Sequence, residues 1–135
     1  YVVRALAELR GATEICLLAT EKAQREHGEG ILSSLAEAGL PTPTFRRISD
    51  PSEADPSAFW GDFETLREVL TAPGRTVVFD ITHGFRSGPF FAAAAIAYVQ
   101  TVEVEPPVFD VVYGAWQARD VATDRSPILS LTPFL

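Results

Sequence analysis

Residues 80 to 89, Asp-Ile-Thr-His-Gly-Phe-Arg-Ser-Gly-Pro, place a carboxylate, a hydroxyl, an imidazole and a guanidinium close together in Asp80, Thr82, His83 and Arg86. Ser87 adds a second hydroxyl, and Gly84 lets the backbone turn sharply or approach a ligand closely. The run before them, Thr76-Val77-Val78-Phe79, reads as a buried strand. Pro89 suits a first helical turn, where its missing N–H costs nothing. Free N–H groups at a helix start, the helix dipole and Arg86 together form an anion site. Thr82 and Ser87 would donate to it, and a histidine can donate, accept or carry a proton. A plainer reading stands beside this one: Asp80 caps the loop, and His83 satisfies buried carbonyls.

The flanking segments decide where this cluster lies. Val2 to Leu9 has helical spacing and stops at Gly11, a C-cap residue. Glu14 to Thr20 is a continuous apolar run, the pattern of a buried parallel strand, ending in Thr20-Glu21-Lys22. A helix is expected over 30–38, closed by Gly39, and a more polar strand over 44–48. Residues 50–56 read as a loop. Phe59, Phe63, Leu66 and Leu70 form the stripe of a helix over 59–70, and Pro73-Gly74 is a turn. A second buried strand follows over 75–81, then a helix over 89–99 and a third strand over 108–113. A polar loop over 118–126 and a short strand over 128–131 close the chain.

This α-β-α-β-α-β-α-β-β order predicts a Rossmann-like α/β domain, with a mostly parallel sheet and helices on both faces. No repeat or domain boundary is visible, so residues 1–135 read as one domain. Ligands of such sheets bind beyond the carboxyl ends of the strands. Three strands end suggestively, at Thr20-Glu21-Lys22, at Asp80 to Gly84 and at Tyr113-Gly114, and a parallel sheet puts all three on one edge.

The 135 residues carry a net charge of −7, which gives no general attraction for a nucleic-acid backbone. A small anion can still be held where local donors outweigh distant, screened charges. Cys16 is the sole cysteine and has no partner for an internal disulfide, which favours a reducing, cytoplasmic setting. No segment reaches the roughly 20 apolar residues of a membrane span. His27 lies in a polar stretch and reads as solvent-facing. Two histidines and one cysteine without short spacing give no metal site. Gly28-x-Gly30 lacks the rest of a dinucleotide fingerprint. Trp60 and Trp116 read as packing or rim residues. The helix 89–99 is apolar on every face and so must be covered all round. One face can meet the sheet, and a second copy of the domain is the simplest cover for the other. Coverage by residues preceding Tyr1 is the alternative.

The motif DITHGFRS resembles that of the CRISPR-associated proteins that carry Asp-x-Thr-His-Gly and whose sensor is a CARF domain, a CRISPR-associated Rossmann fold. The resemblance extends to LLATEKA at 17–23, VVYGAWQAR at 111–119 and PILSLTPFL at 127–135. It therefore covers nearly the whole chain, with Gly88 standing where a larger or polar residue is expected. Family members open with a strand and a glycine-containing loop before the first helix, and often continue into an effector such as a HEPN ribonuclease. Both are expected to lie outside the 135 residues.

The resemblance implies a sensor of cyclic oligoadenylate, the tetra- or hexa-adenylate second messenger of type III CRISPR defence, bound across a homodimer. It needs no further cofactor. Asp80 would order the loop, Thr82 and His83 would line the pocket, and Gly84 would allow close approach. Arg86 and Ser87 would hold phosphate, with Lys22 adding charge. Thr20 and Glu21 would contact ligand or the first helix, and Tyr113 and Gly114 would shape a third wall. Ligand binding would switch the effector domain of the full-length protein. Two alternatives stay open. One is a metal-free ring nuclease, with His83 as base and Arg86 or Lys22 stabilising charge on the ribose 2′-OH attack. The other is a small-anion or nucleotide enzyme on a generic Rossmann-like fold.

Overall fold

The computed structural model describes the chain except Pro51, Glu53, Ala54, Ala72, Gly84, Phe85, Arg86, Ser87 and Leu135. The described elements are α1 (Val2–Arg10), β1 (Cys16–Ala19), α2 (Glu21–Glu37), β2 (Thr44–Arg47), α3 (Pro56–Leu70), β3 (Thr76–Asp80), α4 (Gly88–Val102), β4 (Val108–Gly114) and β5 (Ile128–Ser130). The α/β order matches the sequence reading. The chain divides into two compact units, Tyr1–Thr65 and Leu66–Leu135, with the division falling inside α3.

In the first unit β1 and β2 pair in parallel, Ala19 opposite Arg47. The helix α1 ends where expected: Gly11 takes φ 60°, and the N–H groups of Gly11 and Ala12 bond to the Glu8 and Ala7 carbonyls at 3.3 and 2.9 Å. Glycine reaches that left-handed conformation without a side-chain clash. Ala7, Ile15 and Leu35 are buried together, with Val3, Leu17, Ile31 and Leu40 packed against them.

The helix α2 begins nine residues earlier than the spacing of Ile31, Leu32 and Leu35 predicts. Its polar opening turns hold because Thr20 caps them: the Thr20 hydroxyl accepts the Ala23 N–H at 3.1 Å. Gly28 is the one buried residue of those turns, and a Cβ built there would lie 3.7 Å from the Phe45 ring tip. That is ordinary van der Waals contact, so Gly28 packs against Phe45 without the approach requiring a glycine.

In the second unit β3 and β4 are parallel, Asp80 opposite Val112, and β5 runs antiparallel to β4. Val112 is fully buried, and Phe109, Val111 and Ala115 nearly so. The expected deep burial of β1 and β3 is not met: β1 is half-buried along its length, and β3 from Val77 to Asp80. Among the described residues each of these strands pairs on one side only.

The helix α4 is covered by its own chain along one face. Ala92, Ala95, Ile96 and Val99, spaced i, i+3, i+4 and i+7, form its buried face. Its opposite face is open, with Phe90 80%, Tyr98 46% and Val102 50% exposed. Within one chain the helix is therefore covered on one side, not all round.

Candidate functional site

The end of β3 is stitched to the end of β4. The N–H of Thr82 donates to Asp80 Oδ1 at 2.9 Å, and the Thr82 hydroxyl donates to the same oxygen. This Asx turn reverses the chain just beyond the strand. The N–H of Gly114 then donates to Thr82 Oγ1 at 2.8 Å, and the N–H of Ile81 to the Val112 carbonyl at 3.0 Å. A Cβ at Gly114 would lie 3.2 Å from both Cγ2 and Oγ1 of Thr82, so the glycine permits the close approach.

These bonds define what each residue has left to offer. Asp80 caps the turn, as the plainer reading expected. The Thr82 hydroxyl has its proton on Asp80 and one lone pair on Gly114, leaving a single acceptor position. Thr82 in this state is not the donor that an anion requires. His83 is exposed, which excludes the reading in which it satisfies buried carbonyls. Tyr113 is half-buried, and its hydroxyl donates to Gln117 Oε1 at 2.9 Å. Gly84, Arg86 and Ser87, the expected phosphate-binding part, lie outside the described residues.

The loop after β4 is ordered rather than merely polar. Trp116–Ala118 form a 3-10 turn, and Asp120 and Arg125 exchange backbone bonds of 2.8 and 3.3 Å. The Thr123 hydroxyl and the Ala122 N–H donate to Asp120 and hold its carboxyl below the ordinary 3.8. Neither tryptophan packs inside: Trp60 is 72% exposed and meets Phe63 edge-on, while Trp116 is 63% exposed and carries Arg119 over its ring.

In the first unit Thr20, Glu21 and Lys22 border a groove of about 670 Å³. The parallel register brings Arg47 to the same strand edge, and α2 adds Arg25 one turn after Lys22. Lys22, Arg25 and Arg47 share the groove with Glu21, Asp50 and Asp62, so its charge is balanced. Arg47 pairs with Glu21 at 2.8 Å, with both side chains mostly exposed, an arrangement worth little in stability. Asp62 accepts the Ser49 N–H at 2.8 Å and the Ser49 hydroxyl at 3.1 Å, fixing the turn after β2. Ser52 donates hydroxyl and N–H to Asp50 and lowers its pKa, with Lys22 adding a smaller pull. Thr20 is buried, with its hydroxyl on the Ala23 N–H.

Sequence reasoning did not find Arg25, Arg47, Ser49 or Asp62. The usable signal was the register: a basic residue closing β2 must lie beside Thr20 if β1 and β2 run parallel. Among the described residues no group of three or more metal-ligating side chains is placed to hold an ion, and no helix is long and apolar enough to cross a membrane. His27 is exposed, as expected. No protein-family model matches the chain, and no curated protein matches it in sequence.

Proposed function

We propose that this chain is a CARF-type sensor domain of type III CRISPR defence that binds cyclic oligoadenylate at the carboxyl ends of its strands. The observation that carries the reading is the brace of Asp80, Thr82 and Gly114. It fixes the strand end that presents His83, and it does so with the residues of the Asp-x-Thr-His-Gly motif. A braced strand end leading into a helix start is the arrangement a Rossmann-like sheet uses to hold a phosphate. Arg86 and Ser87 follow His83 in sequence and complete the phosphate-binding set.

The finer fold is a Rossmann-like sheet, mostly parallel and covered by helices on both faces. The domain acts as a homodimer through the open face of α4, and ligand binding switches an effector domain of the full-length protein. The setting is the cytoplasm, and the sole ligand is cyclic tetra- or hexa-adenylate. The exposure of His83 supports a second reading, slow metal-free cleavage of the ring, because a general base must reach its proton.

The test is to incubate the protein with cyclic tetra-adenylate and cyclic hexa-adenylate in the absence of metal. Calorimetry reads binding, and chromatography reads linear product. Binding without product is the expected result. Product that disappears in His83→Ala establishes the nuclease. Absence of binding to either ring overturns the sensor reading. Arg86→Ala should weaken binding by roughly 1.5–3 kcal/mol, the value of a charge-assisted phosphate contact.

A further inference from the structure

Trp116 is a large apolar side chain that the chain's own fold leaves uncovered. It lies two residues beyond Gly114, whose N–H is bonded to Thr82, so it leaves the same end of β4 that braces the motif turn. Burial does not account for it, since it is 63% exposed. The guanidinium carbon of Arg119 sits 4.5 Å from the indole centroid, close enough for a cation–π contact. That covers one side of the ring system and leaves the rest to solvent.

The platform is held from below. The N–H of Ala115, itself buried, donates to the Pro127 carbonyl at 2.9 Å. The N–H groups of Ala118 and Arg119 close the 3-10 turn onto Ala115 and Trp116 at 3.0 and 3.1 Å. Arg119 is tied in turn by an ion pair with Asp124, which adopts a positive φ of 53° to close the loop. An aromatic ring fixed in this way loses little conformational freedom when a second flat group stacks on it. Trp60, 72% exposed, stands on the helix α3 and meets Phe63 edge-on at 6.2 Å.

We infer that Trp116 is a base-stacking residue of this site, its open indole face receiving an adenine ring while Arg119 holds the opposite face. The inference rests on the sensor reading above and adds base recognition to it. Stacking on a tryptophan supplies affinity through the base itself.

The experiment uses the chain carrying Trp60→Phe, so that Trp116 is the sole tryptophan, titrated with cyclic tetra-adenylate and cyclic hexa-adenylate. Trp116 emission should be quenched to saturation by the ring that binds. Trp116→Ala should lose tenfold or more in affinity, as expected for one lost base stack. Trp116→Phe, which keeps a π face, should lose about threefold or less. Far-UV circular dichroism checks that each variant is folded; if Trp116→Ala is not, the quenching and Trp116→Phe decide. A ring that binds without quenching, with Trp116→Phe and Trp116→Ala both within twofold of the parent, overturns stacking and leaves the sensor reading intact. Absence of binding by the parent overturns both.

Discussion

Thr82 Oγ1 accepts the backbone N–H of Gly114 at 2.8 Å across two parallel strand ends, while its proton goes to Asp80. One hydroxyl thereby joins the turn after β3 to the last residue of β4. Gly114→Ala puts a methyl 3.2 Å from Thr82 and should destabilise by about 1–3 kcal/mol through overpacking. Thr82→Val removes the hydroxyl and leaves the Gly114 N–H without this partner, at a cost of about 1–3 kcal/mol. Thr82→Ser should be much milder, and should partly relieve Gly114→Ala by removing Cγ2. Urea denaturation midpoints of the parent, the three single variants and the Gly114→Ala/Thr82→Ser double variant check this, and additive effects of Gly114→Ala and Thr82→Ser would refute the steric account.

Thr20 starts α2 with a buried hydroxyl on the Ala23 N–H. Thr20→Ala should cost about 1 kcal/mol, and Thr20→Ser a small fraction of that, because Ser keeps the capping oxygen. Hydrogen exchange at Ala23 should accelerate in Thr20→Ala and stay near the parent rate in Thr20→Ser.

The open face of α4 is expected to be the dimer surface. Phe90→Asp and Tyr98→Glu place charges on exposed positions of this face, and far-UV circular dichroism should show the single chain still folded. Sedimentation velocity should show a dimer for the parent and a monomer for the double variant. A double variant that remains dimeric assigns the interface elsewhere.

Asp50, Asp55 and Asp120 all have lowered pKa values, chiefly through side-chain hydrogen bonds from Ser52, Ser57 and Thr123. Depressed folded-state values give stability that is fully present above the ordinary 3.8 and lost as pH falls through the folded values below it. The unfolding midpoint should therefore drop as pH is lowered from about 5 to 3. The drop should be shallower in the triple Asp→Asn variant at these positions. An unchanged slope would remove these three carboxylates from the acid response.

The sequence made the element order legible because β3, α4 and β4 announce themselves by apolar runs and spacing. It misled where tertiary contact overrides local preference. The first turns of α2 contain Gly28 and Gly30 and little apolar periodicity; the Thr20 cap starts the helix there. Of the site, Asp80 was legible as a turn-former. The state of Thr82 was not, because its partner Gly114 lies 32 positions away. Arg47 could have been placed from the parallel pairing of β1 and β2, whereas Asp62 is placed by a loop contact that a single sequence does not display. The order within the loop after β4 was missed for the same reason, since Arg119 is held by Trp116 and Asp124 together.

The 32-residue span of the bond between Thr82 and Gly114 also bears on the order of assembly. That contact cannot form until β3, α4 and β4 have closed into one crossover, so it belongs late on the folding path. Substitutions there should leave the refolding rate nearly unchanged and accelerate unfolding instead. By the same reasoning the motif turn would be among the first parts of its unit to open, and its amides should exchange by local opening well before Val111 and Val112 at the centre of β4.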